Sequence, residues 1–286
     1  MNKLFSIGLI GILIILPLPA SALTIYTNAY GGFITGPGRI DTKTASQGTI
    51  ISIAEVPSLF RYASATASSY GSLAVAANYS FSGFDFFNDV AEASWSNTFT
   101  NSSNILQPYR FNFFISGVTL SIGTSNEIHY QDFVSAYAIN IFLNNQVIWN
   151  SSTEIQGQSN GYDPLTGSYL TSTLFTQTGT NLGGTFVDNT PSVSPSASYT
   201  SNLYLGSLDL GLIAPNDSFS LEFSISVNRS GCDHGGAYAA LGDPLNLSSN
   251  PGFYGTVAVP EPATMLLLGS GLIGLAGYGR RKFFKK

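Results

Sequence analysis

SFSLEFSISVN, residues 218–228, sets Phe219, Leu221, Phe223, Ile225 and Val227 in strict alternation with Ser218, Ser220, Glu222, Ser224, Ser226 and Asn228. Successive side chains of an extended chain point to opposite faces, so this spacing predicts a strand with one buried face and one polar face. Two neighbouring stretches carry the same signal. RFNFFISGVTLSI, residues 110–122, alternates less cleanly, and Gly117 within it marks a bulge or bend. SAYAINIFLNNQVIW, residues 135–149, places two apolar β-rich runs around Asn144-Asn145. Asparagine tolerates left-handed backbone, so that pair predicts a tight hairpin.

Composition agrees with strands throughout. The 286 residues are 44% hydrophobic and 13% aromatic, enough for a sizeable core, while charged residues are only 9% against a usual quarter or so. The polar remainder is Ser, Thr, Asn and Gly, and no amphipathic helical stretch interrupts the middle of the chain. Turn residues recur between the β-rich runs, as at Gly161-Tyr162-Asp163-Pro164 and Ala214-Pro215-Asn216-Asp217. Many short strands with such punctuation predict an all-β fold, a jelly-roll-like β-sandwich of two sheets. Residues 62–83 and 91–100 alternate Ala with Ser and aromatics, which suits strands that either pack closely or stay exposed. Residues 176–201, rich in Thr, Ser, Gly and Pro, read as a long loop or insertion.

The two ends have a different character. Residues 1–22, MNKLFSIGLIGILIILPLPASA, form a signal peptide: Lys3 gives the positive start, an apolar run follows, and Pro17 and Pro19 end it. Ala20 and Ala22 flank Ser21 as the small residues of the cleavage site, so the chain is exported. Residues 258–286 hold Pro260-Glu261-Pro262, an uncharged run over residues 263–278, and a basic end. As a helix the run spans about 24 Å, short of the ~30 Å of a bilayer core, and flanking Phe283 and Phe284 make up part of the difference. It is read as one C-terminal membrane helix, with Arg280, Arg281, Lys282, Lys285 and Lys286 held in the cytoplasm. The organisation is therefore signal peptide 1–22, β-sandwich ectodomain 23–257, and anchor segment 258–286.

That tail resembles the PEP-CTERM sorting domain in its Pro-Glu-Pro triplet, its short apolar helix, its Arg280-Arg281 cluster and the wording Ala263-Thr264-Met265-Leu266-Leu267-Leu268-Gly269. The resemblance implies a substrate of exosortase, a membrane cysteine protease acting near the motif. It also implies a Gram-negative cell that makes exopolysaccharide, with the inner membrane as a waystation and the cell surface, extracellular matrix or biofilm as the destination. The partners it implies are exosortase, the export machinery, the inner membrane and exopolysaccharide.

Between the signal peptide and Glu261, the five cations Arg39, Lys43, Arg61, Arg110 and Arg229 meet sixteen carboxylates, a balance of −11. Such a chain has no electrostatic reason to bind nucleic acid. Chemistry-bearing residues are sparse. Cys232 is the sole cysteine, so no intramolecular disulfide forms, and Cys232-x-His234 on one loop does not by itself build a nucleophile. His129 reads as an ordinary polar position, and two histidines with one cysteine predict no metal site. Asp85, Asp89 and Glu92 cluster in FDFFNDVAE without EF-hand spacing and read as a turn or solvated edge. No catalytic signature and no cofactor motif is present, so the expectation is a non-enzymatic surface or matrix protein. The alternative is a lectin-like carbohydrate-binding module stacking sugars on Trp95, Trp149 or Tyr137, and a remote one is a glycan hydrolase with paired carboxylates.

Overall fold

The computed structural model describes residues 23–33, 39–56, 61–79, 86–232 and 234–258. The signal peptide with Ala20 and Ala22, Asp85, and residues 259–286 with the Pro-Glu-Pro triplet, the membrane helix and the basic end lie outside the described residues. Among the described residues no helix is long and apolar enough to cross a membrane.

Seventeen strands and a short 3-10 helix, Glu127–Asp132, are found among the described residues, and all strand pairs are antiparallel. The first sheet runs β11 (Ser168–Gly179), β10 (Gln146–Asp163), β9 (Val134–Leu143), β15 (Ser218–Gly231), β6 (Phe87–Thr100), β1 (Thr24–Phe33), β2 (Arg39–Ala45). The second begins β3 (Thr49–Val56), β4 (Arg61–Ser68), β5 (Ser72–Tyr79). Beyond β5 it forks. One branch is β16 (Gly235–Leu241), β8 (Val118–Thr124), β13 (Ser196–Thr200), β12 (Thr185–Asp188). The other is β17 (Phe253–Ala258), β7 (Gln107–Ile115), β14 (Tyr204–Ile213). Both branches share one edge of β5, β17 on Ser72 and Leu73, β16 on residues 75–78. The fold is thus all-β and sandwich-like, with β1, β6 and β15 packed over β3, β4, β5 and β16.

β15 occupies the centre of the first sheet, as its alternation requires. Phe219, Leu221, Phe223, Ile225 and Val227 are all buried, while the serines between them are not. The Phe223 ring stacks on Trp95 at 4.9 Å and meets Phe253 at 4.7 Å and Phe111 at 5.6 Å, so one side chain joins both sheets. Full burial of such a side chain contributes about 1.5–3 kcal/mol. The β9–β10 hairpin turns at Asn144 and Asn145, whose φ values of 50° and 64° are those of a primed two-residue turn.

Two segments depart in detail from the sequence reading. Residues 110–122 are not one strand with a bulge: β7 and β8 separate at Ser116-Gly117 and take successive partners, β17 and then β16. Residues 176–201 are more than a loop, since the end of β11, β12 and β13 lie within them. Phe186 and Tyr199 supply the apolar faces there, packing on Phe175 at 4.4 and 5.3 Å. The Ala/Ser strand β4 is buried on both sides, Ala63, Ala65 and Ala67 facing the core and Ser64, Thr66 and Ser68 covered from behind. Small side chains permit this close approach, and Thr66 Oγ1 donates to the Pro244 carbonyl of the covering loop at 2.5 Å.

Candidate functional site

At one end of the sandwich two connections cross between the sheets side by side. The first leaves β8, forms the 3-10 helix and enters β9; the second leaves β15 at Gly231 and enters β16 at Gly235. Asn126 caps the helix, its side chain accepting from the Ile128 amide at 3.1 Å, and Asn126 itself is held by Thr124 Oγ1. A 3-10 helix has three residues per turn, so positions three apart share a face. Tyr130 on the helix and Phe133, its extended C-cap, make one pair and are wholly buried. The Tyr130 hydroxyl meets Thr173 Oγ1 at 2.9 Å, and burial pushes it up to about 12. His129 and Asp132 form the other pair, half-buried, with Nδ1 to Oδ2 at 3.1 Å.

The second connection is fastened against this face. The His234 carbonyl accepts from the Ser125 amide at 3.1 Å and from Thr124 Oγ1 at 2.5 Å. Gly235 is required here because a Cβ would collide with the Gly123 carbonyl across the β8–β16 pair. The fastening stacks the His234 ring on His129 at 4.5 Å and brings Cys232, buried, beneath. One ligand atom each from His129, Asp132 and Cys232 lies within 4.8 Å of the others. The sequence alone predicts no metal site from two histidines and one cysteine, because the separation of His129 and Asp132 from Cys232 along the chain hides the pairing of β8 with β16. The i, i+3 spacing of His129 and Asp132 is the available signal, and it puts them on one face only once the segment is known to be helical.

The carboxylate cluster is a correction. Asp89 sits neither at a turn nor at a solvated edge: it lies in β6, fully buried, ion-paired with fully buried Arg229 of β15. Arg229 Nη1 also donates to the Ala237 carbonyl at 2.8 Å and Nη2 to that of Asn78 at 2.5 Å, with the guanidinium 4.9 Å from the Phe87 ring centre. The pair thereby ties β6 and β15 to β5 and β16. Glu92, three residues on, points to the opposite face, where Asn28 Nδ2 donates to it at 3.4 Å. The two acids cannot act on one substrate. The aromatics singled out for sugar stacking turn inward: Trp95 and Tyr137 are buried, and Trp149 packs half-buried on Phe113 and Tyr204 at 5.1 and 5.7 Å.

β17, the last described strand, ends at Ala258, and residues 258–282 match the family model for the PEP-CTERM protein-sorting motif. The chain carries a PEP-CTERM sorting signal. The match spans Pro260, Glu261, Pro262, Arg280, Arg281 and Lys282 and begins where the sandwich stops. It implies export and membrane-associated, exosortase-dependent sorting. No curated protein and no solved structure matches the chain.

Proposed function

We propose that this protein is a non-enzymatic component of the cell surface or extracellular matrix, delivered as an exosortase substrate and associated with exopolysaccharide in a biofilm. The PEP-CTERM motif directly after the last strand carries the reading, because it couples a β-sandwich to a sorting signal. In this reading Ala20 and Ala22 direct signal cleavage, and the tail holds the precursor at the inner membrane. Pro260, Glu261 and Pro262 present the processing site, while Arg280, Arg281, Lys282, Lys285 and Lys286 remain inside. Two observations support a non-enzymatic ectodomain over the glycan-hydrolase alternative: Asp89 is engaged by Arg229 within the core, and Glu92 faces away from it. The lectin-like alternative is weakened by the burial of Trp95 and Tyr137.

The test is the replacement of Pro260-Glu261-Pro262 by three alanines in the producing cell. Export should persist, since it depends on residues 1–22, while a larger, membrane-bound form accumulates and the matrix fraction loses the protein. Maturation of the variant to the parental mass and fraction would overturn the proposal.

A further inference from the structure

We infer that His129, Asp132 and Cys232 form a binding site for a divalent transition metal of the zinc type, an activity separate from sorting. Three donors of different chemistry converge from two distant segments, their ligand atoms within 4.8 Å of one another. Tetrahedral coordination with bonds of about 2.0–2.3 Å separates ligand atoms by about 3.3–3.8 Å. His129 Nδ1 and Asp132 Oδ2 lie 3.1 Å apart, and with no separation in the trio above 4.8 Å the ligand atoms need close by only about 1 Å.

The donor set selects the ion. A thiolate with an imidazole suits zinc and its neighbours, whereas calcium and magnesium require a cage of oxygens that one carboxylate does not supply. Charge also balances: a thiolate, a carboxylate and a neutral imidazole cancel a doubly charged ion, so the half-buried site carries no net charge when loaded. On binding, the Cys232 thiol gives its proton to solvent, and affinity falls as the pH is lowered. The scaffold orders the site in advance. Tyr130 and Phe133 anchor the helix from below, the Thr124 and Ser125 bonds to the His234 carbonyl fix the second connection, and the His234 ring stacks on His129. Three protein ligands leave a fourth position for water or an added ligand.

The experiment uses the full-length protein in detergent, stripped with a chelator and then titrated with Zn²⁺ by calorimetry and with Co²⁺ by absorbance. One Zn²⁺ per chain is expected, undisplaced by millimolar Ca²⁺, and Co²⁺ should give a near-ultraviolet thiolate charge-transfer band. Cys232→Ser and His129→Gln should each weaken Zn²⁺ binding by about 100-fold or more, and Asp132→Asn by about 10–100-fold. Metal-free melting temperatures matching the parent would tie these losses to the ligands. The wild-type arms decide the matter if a variant fails to fold. Absence of the Co²⁺ band, displacement by Ca²⁺, or unchanged affinity in Cys232→Ser would each overturn the inference.

Discussion

Replacing Asp89 by alanine removes one carboxylate from the centre of the sandwich and leaves a guanidinium where water does not reach. Arg229 would keep the Ala237 and Asn78 carbonyls but lose the Asp89 carboxylate, with both residues at 0% exposure in the parent. Breaking a buried pair by deleting one member costs about 3–5 kcal/mol, most of it the uncompensated charge left behind. Against a typical total stability of about 5–15 kcal/mol, that is a large share. With a urea dependence of about 3 kcal/mol per M, the unfolding midpoint should fall by about 1–2 M. Trp95 reports the transition directly, because it is buried in the same core and stacked on Phe223. Asp89→Leu combined with Arg229→Met should recover most of the loss, since apolar replacements of a buried pair are often neutral. A midpoint within 0.3 M or so of the parent for Asp89→Ala would refute the reasoning, because it would mean that the Asp89 carboxylate is not what compensates the buried guanidinium.

Phe223→Asp should abolish folding, because it places a charge between Trp95, Phe111 and Phe253, whereas Ser224→Asp on the outer face should melt close to the parent. Similar melting temperatures for the two would remove the support for a half-buried β15. Alkaline pH should also destabilise the sandwich. Burial pushes the Tyr130 and Tyr199 hydroxyls up to about 12. Unfolded tyrosine loses its proton near pH 10, so between about pH 10 and 12 the unfolded chain binds fewer protons and stability falls as pH rises. Tyr130→Phe should flatten that slope in a series of thermal melts; an identical slope would exclude Tyr130 as a source.

The legible part of the fold was whatever period two could carry. Residues 219–227 gave their face unambiguously, and the Asn144-Asn145 hairpin followed from the one backbone conformation such a pair favours. The same alternation, run two residues further, puts Arg229 on the buried face, but a charge there is intelligible only once Asp89 is known to lie opposite on β6. Sheet order escaped for a related reason: how β16 and β17 divide one edge of β5 depends on contacts between distant segments, which no local pattern records. The metal-type cluster was hidden in the same way, its donors joined by the β8–β16 pairing and by a 3-10 turn too short to show periodicity. The sorting motif, by contrast, is written in consecutive residues and needs no fold to be read.

The most direct test of the central claim is the intact mass of the mature protein, purified from the surface or matrix fraction of cells with and without exosortase. If exosortase processes this chain, the mature form starts at Leu23 and ends near Pro260-Glu261-Pro262, and cells lacking the enzyme retain a membrane-bound form that still ends at Lys286. A mature surface form that still ends at Lys286, or the same truncated mass in cells without exosortase, would contradict the account.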